Sequence, residues 1–143
     1  MAESSEISNS LVPVGRQQAM VLLETGYLWL DMGHFDKARD VFAGAAALMP
    51  KSEVPQLGLG AVEFAQGRHD KALQAYRSAQ RLAPQAALPR AHAGEALLFM
   101  GKVPEALKEL KAAMDLEPDG DAAKLAQSLI QAKEAGILPP AKK

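Results

Sequence analysis

His34, His69 and His92 are the only histidines in the chain. A hydrolytic or metal-dependent activity would have to be built from them. Metal-binding histidines on a helix pair at i and i+4, and no His-x-x-x-His is present. The three are expected to be solvated or helix-capping side chains. A serine nucleophile has no Gly-x-Ser-x-Gly turn to present it, and phosphate has no Gly-x-x-x-x-Gly-Lys-Ser/Thr loop to cradle it. Gly58-Leu59-Gly60 is half of a dinucleotide fingerprint, but it sits inside a helical pattern and not after a strand. Pairs such as Asp36–Arg39 and Glu105–Lys108 have the (i, i+3) spacing of ordinary surface ion pairs. No catalytic centre, metal site or cofactor site emerges, and the expectation is a protein that is not an enzyme.

The composition narrows the partners. Sixteen Lys and Arg stand against seventeen Asp and Glu, a formal charge of -1, so neither a nucleic-acid footprint nor a polybasic membrane patch is expected. There is no cysteine, which excludes disulfides, thiolate metal sites and Cys nucleophiles together. At 48% apolar and 23% charged residues, the chain belongs with globular sequences and not disordered ones. Met1-Ala2-Glu3-Ser4-Ser5-Glu6 is acidic and polar, unlike the basic start of a secretory signal. No stretch approaches the roughly 20 apolar residues of a membrane span. The expectation is a cytoplasmic protein with no membrane insertion.

What positions these residues is a repeat. Gly26, Gly60 and Gly94 are each 34 apart, and so are Gly33, Gly67 and Gly101. The same period carries Ala38, Ala72 and Ala106, then Ala45, Ala79 and Ala113, then Pro50, Pro84 and Pro118. Five columns in one order, three times over, resemble the tetratricopeptide repeat, a helix–turn–helix unit. The fold expected is all-α: an α-solenoid of three tetratricopeptide repeats, 19–52, 53–86 and 87–120, with a C-terminal capping helix over 121–136. Residues 1–18 are expected to be a partly disordered segment running into the first helix, and 137–143 a frayed tail.

Each column has a physical reason. Within a unit, helix A packs antiparallel to helix B. Gly26 with Ala38, Gly60 with Ala72 and Gly94 with Ala106 are expected where the two backbones approach closest. Trp29, Phe42, Phe64, Tyr76, Leu97 and Leu110 fill the space one turn away. Gly33, Gly67 and Gly101 end helix A in a left-handed conformation. Pro50, Pro84 and Pro118 end helix B, while Pro55, Pro89 and Pro104 sit in first turns. In the tail, Ala122, Leu125, Ala126, Leu129 and Ile130 form one apolar stripe. Asp119 or Asp121 is expected to cap that helix, whose stripe covers the open end of the third repeat.

Stacked repeats curve, with the A helices lining the concave side. The family's groove positions correspond to Met20, Leu23, Tyr27, Leu30 and Asp31 in the first unit. In the second they are Val54, Leu57, Ala61, Phe64 and Ala65, and in the third Leu88, Ala91, Glu95, Leu98 and Phe99. Only Asp31 and Glu95 among them are charged. A contiguous apolar face of this kind suits an apolar, extended or helical segment of another protein. Repeat proteins that grip a C-terminal carboxylate do so with Lys, Arg and Asn. The matching positions here are Leu23, Tyr27, Gly58, Leu88 and His92, which argues against a co-chaperone of the Hsp70/Hsp90 type.

Leu88-Pro89-Arg90-Ala91-His92-Ala93-Gly94-Glu95-Ala96-Leu97-Leu98 resembles the third-repeat segment of bacterial type III secretion class II chaperones. The resemblance implies a chaperone that holds a secreted translocator, or another secretion subunit, in the cytosol. It implies an extended client segment in apolar pockets, lined by Tyr27, Leu30, Leu57, Ala61, Phe64, Glu95 and Leu98. Met20, Leu23, Leu88, Ala91 and Phe99 complete the expected client groove. The alternative is a general tetratricopeptide adaptor or assembly scaffold in a multiprotein complex. Either is expected as a monomer or weak homodimer.

Overall fold

The helices of this chain are set by where glycine and proline stop them. The computed structural model describes residues 15–141, and the expectations for residues 1–14 and 142–143 lie outside it. The helices are α1 Arg16–Asp31, α2 Phe35–Leu48, α3 Val54–Ala65, α4 His69–Leu82, α5 Ala87–Phe99, α6 Val103–Leu116 and α7 Asp121–Glu134. No strand occurs among the described residues.

Gly33, Gly67 and Gly101 each have φ of +78°, the left-handed region that only glycine enters without strain. Each lies just beyond an A helix. Its N–H reaches back to Leu30, Phe64 or Leu98, and the next residue's N–H reaches Trp29, Glu63 or Leu97. This double closure satisfies carbonyls that the helix end would leave orphaned. Gly136 repeats it after α7, with φ of +78° and bonds from Gly136 to Lys133 and from Ile137 to Ala132. Helices α2, α4 and α6 stop at Met49, Ala83 and Glu117, one residue before Pro50, Pro84 and Pro118.

The core is a row of large B-helix side chains seated on A-helix glycines. Phe42, Tyr76 and Leu110 occupy equivalent positions in the three units and are almost wholly buried. A Cβ on Gly26 would stand 2.7 Å from the Phe42 ring, one on Gly60 2.3 Å from Tyr76, and one on Gly94 2.6 Å from Leu110. This adds a side-chain reason for the glycine column. The expectation was close backbone approach to Ala38, Ala72 and Ala106. The nearest atoms are those of a ring or branched side chain of helix B, joined at Gly94 by the Ala106 carbonyl at 3.2 Å. Gly58, set aside as half of a fingerprint, does the same work across units: its Cβ would lie 2.3 Å from Phe42. Phe42 is therefore held between Gly26 of its own unit and Gly58 of the next. Burying such a ring is worth roughly 2–3 kcal/mol.

Neighbouring helices pack in sequence, and α1 also packs on α3 and α5 on α7. No two B helices meet to that extent among the described residues. A helices meet at both ends of the array, though α3 and α5 do not meet to that extent, and this places the A helices on the inner side. Helix α7 lies against α5 and α6, burying Ala122, Ala123, Ala126 and Leu129. Its N-cap is Gly120, with no side-chain cap hydrogen bond, so neither Asp119 nor Asp121 caps it. Leu138, in the stretch expected to fray, packs against the cluster containing Leu110 and Leu129. At the other end, Val21 and Leu28 of α1 and Met32 just past it are each more than half exposed.

Ion pairs tie adjacent units on the B side. Arg39 bonds Asp36 within α2 at 3.1 Å, and also reaches Glu63 and Gln66 at the end of α3, at 3.4 and 2.7 Å. Glu109 of α6 takes Arg77 of α4 at 2.7 Å and Arg90 of α5 at 3.4 Å. Glu105 and Lys108 form no ion pair.

Candidate functional site

The inner face is built from α1, α3 and α5, whose exposed residues are mainly apolar. Equivalent positions are not equally open. Met20 and Leu88 are exposed, with Val54 between them half-buried. Leu23 is half-buried, but Leu57 is 6% exposed and Ala91 is fully buried. Leu30 and Phe64 are half-buried, while Leu98 is fully buried. At the Leu23 and Leu30 positions burial rises along the array, because among the described residues α1 has an A helix on one side only, whereas α7 closes over α5.

Three of the expected groove residues therefore have little or no surface to offer. Leu57 packs with Tyr76 and Ala93. Leu98 packs with Leu110 and Leu129, and Ala91 with Ala113 and Ala122. They belong to the core between helices. Met20, Tyr27, Leu88, Asp31 and Ala65 are exposed, while Leu23, Leu30, Ala61, Phe64, Glu95 and Phe99 are partly so.

His34 is exposed at the start of α2 without a side-chain cap bond, whereas His69 and His92 are half-buried. Each lies against aromatic rings. His34 stands edge-on to Trp29 at 5.3 Å, with the Lys37 ammonium 4.4 Å above the same indole. His69 opens α4 between Phe64 at 4.7 Å and Phe99 at 5.1 Å, rings that also touch each other at 4.9 Å. Its Nδ1 is buried without a hydrogen-bond partner. His92 stacks on Tyr76 at 5.2 Å and lies 3.5 Å from Glu95 Oε1 through Nδ1.

Tyr27, His92 and Glu95 form the polar part of the inner face, with the buried Tyr76 ring stacked on His92. Burial raises the Tyr27 phenol above its ordinary value. Burial raises Tyr76 further, helped by the negative fields of Glu95 and Tyr27. Both phenols stay neutral and able to donate a hydrogen bond at physiological pH. Tyr76 and His92 escaped the sequence-based groove. Tyr76 sits on helix B, and no A-helix pattern points to it. His92 carried a signal, as one of the positions matching the carboxylate-gripping set.

Among the described residues no cluster of three His, Asp or Glu is placed to hold a metal ion. No helix is long and apolar enough to cross a membrane. The face offers apolar surface, the Tyr27 phenol, an imidazole and a carboxylate. That set can bind a polypeptide segment through burial and a few oriented polar contacts.

A stack of helix hairpins with a left-handed glycine after each A helix defines a helical-repeat scaffold protein. Two tetratricopeptide-repeat family models match residues 23–87 and 63–130, together well over half of the chain. The chain belongs to the tetratricopeptide repeat family. No curated protein matches it by sequence. Among solved structures it is similar to the Yersinia enterocolitica type III secretion translocator chaperone SycD. There the TM-score is 0.74 and the identity 24%, covering 85% of this chain and 91% of that one. It is similar to PcrH in complex with the chaperone binding region of PopB, with TM-score 0.70, 24% identity, and coverage of 82% and 96%. It is also similar to the first tetratricopeptide domain of Spaghetti (RPAP3) bound to the HSP90 peptide SRMEEVD, with TM-score 0.67, 24% identity, and coverage of 84% and 99%. At these identities the likeness is one of fold.

Proposed function

We propose that this protein is a chaperone that binds a segment of another protein along its inner face, and that its client is a secreted subunit of a type III system, foremost a translocator. The observation that carries this reading is the inner face itself. It combines open apolar side chains, from Met20 through Tyr27 and Phe64 to Leu88, with no lysine on any of its three helices. SycD and PcrH, which share the fold, support the choice of client. Shielding apolar surface needs no nucleotide, cofactor or catalysis. The protein works in the cytoplasm, as a monomer or weak homodimer, without nucleic acid.

A second reading is a general adaptor in a multiprotein complex, favoured by the comparable likeness to RPAP3. Against the carboxylate-gripping form of that role stand Leu23, Tyr27, Gly58, Leu88 and His92, where such a grip needs Lys, Arg or Asn.

The test is co-expression with a type III translocator, followed by co-purification. Leu88→Glu and Met20→Glu should abolish capture while leaving helicity and Tm unchanged. Both side chains are exposed, which makes them cleaner probes than Leu57, a core residue whose replacement by Glu would unfold the protein. Phe64→Glu is expected to lose binding with some loss of stability, because Phe64 also packs on Phe99 and His69. Capture retained in both exposed variants would refute the groove.

A further inference from the structure

Apart from His92, which pairs with Glu95 as an ion only when protonated, the inner face has one sign of charge. The helices α1, α3 and α5 contain no lysine and only two arginines. Arg16 is the first residue of α1, at the edge of the array. Arg90 is drawn to the B side by Glu109. Of the acids on these helices, Glu63 is taken by Arg39 and Arg68. Glu24, Asp31 and Glu95 have no Lys or Arg partner among the described residues.

Glu95 is the important one. Its side chain is only 20% exposed, and it stands at the same repeat position as Tyr27 and Ala61. Its neighbours are the His92 ring, 3.5 Å away and stacked on Tyr76, and the Tyr76 phenol, whose ionisation its field opposes. A carboxylate so placed still keeps some water. An apolar segment laid over it would remove that water, and a buried carboxylate without a counter-charge is strongly destabilised. A cation brought by the segment reverses the sign of the effect, because the pair forms where solvent screening is weak.

We propose that the groove selects an extended, mainly apolar protein segment carrying a lysine or arginine, whose cation pairs with Glu95 while its apolar neighbours rest on Tyr27, Ala61, Phe64 and Leu88. This rests on the groove reading above and adds the charge of the partner. An acidic tail is the segment the same face rejects.

The test uses the full chain and fluorescent peptide pools of about ten residues, with Leu, Ile, Val, Met or Phe randomised at alternate positions. One central residue is fixed as Lys, Gln or Glu. The Lys pool should bind about tenfold more tightly than the Gln pool, and the Glu pool most weakly. In Glu95→Gln the Lys and Gln pools should converge, with binding of the Gln pool retained. Equal binding of Lys and Gln pools by the wild type overturns the charge selection, as does an undiminished Lys preference in a folded Glu95→Gln. A second measurement does not depend on that variant folding. Acetylating the lysine of the Lys pool, which removes its charge, should bring its binding by the wild type down to that of the Gln pool, and an undiminished affinity counts against a charge pair. Failure of every pool to bind overturns the groove reading itself.

Discussion

Glycine has two opposite meanings in this chain, and the residues around each one decide which applies. At Gly60 an added methyl would collide with the Tyr76 ring, whereas at Gly44, midway along α2, nothing lies within 4 Å. Gly60→Ala should therefore cost about 1–3 kcal/mol through overpacking. Gly44→Ala should gain about 0.5–1 kcal/mol by removing a flexible residue from a helix interior. Urea unfolding of the two variants checks both signs. Tyr76 makes a second prediction. Its phenol is raised above the ordinary value of 10.0, so above pH 10 the unfolded chain loses this proton while the folded chain keeps it. Stability is then complete below pH 10 and falls as pH rises beyond it, by at most about 1.4 kcal/mol per unit. Tyr76→Phe should flatten that fall between pH 9 and 11, measured against the wild type.

At the scale of the element, helix ends were the most legible feature of the sequence. Left-handed glycine and helix-ending proline act through their own backbones, so spacing alone located Gly33, Gly67, Gly101, Pro50, Pro84 and Pro118. Side-chain environment was less legible, because it depends on the neighbouring helix. One repeat position holds exposed Met20 and Leu88, and another holds half-open Leu30 and closed Leu98. A register that treats the units as equivalent cannot separate these cases, since α7 covers α5 and nothing comparable flanks α1 on its outer side among the described residues. The links between units were also hidden. Glu109 serves Arg77 and Arg90 from two different helices, a long-range meeting that local spacing does not announce. Glu109→Ala should cost about 1–2 kcal/mol, whereas Asp36→Ala, removing a carboxylate that is 95% exposed, should leave the unfolding midpoint unmoved.

For the whole molecule, α7 is a fourth A helix as much as a lid. Asp121 follows Ala87 by one full period, and Ala126 takes the position held by Gly58 and His92 in the units before it. Truncation after Pro118 should cost at least about 3 kcal/mol, by uncovering Leu98 and Leu110 and losing the burial of Leu129. Dye binding to exposed apolar surface and a lowered Tm would report it. The joints between units differ in a way the shared spelling conceals. Phe42 meets Gly58, Tyr76 meets the flat face of His92, and Leu110 clusters with Ala126. Each unit is cut to fit its successor. A gene rearrangement that placed the third unit directly after the first would drive an imidazole into the Phe42 ring. The array can be lengthened or reordered only by changing both sides of a joint together, so three hairpins that share one spelling are parts that do not interchange.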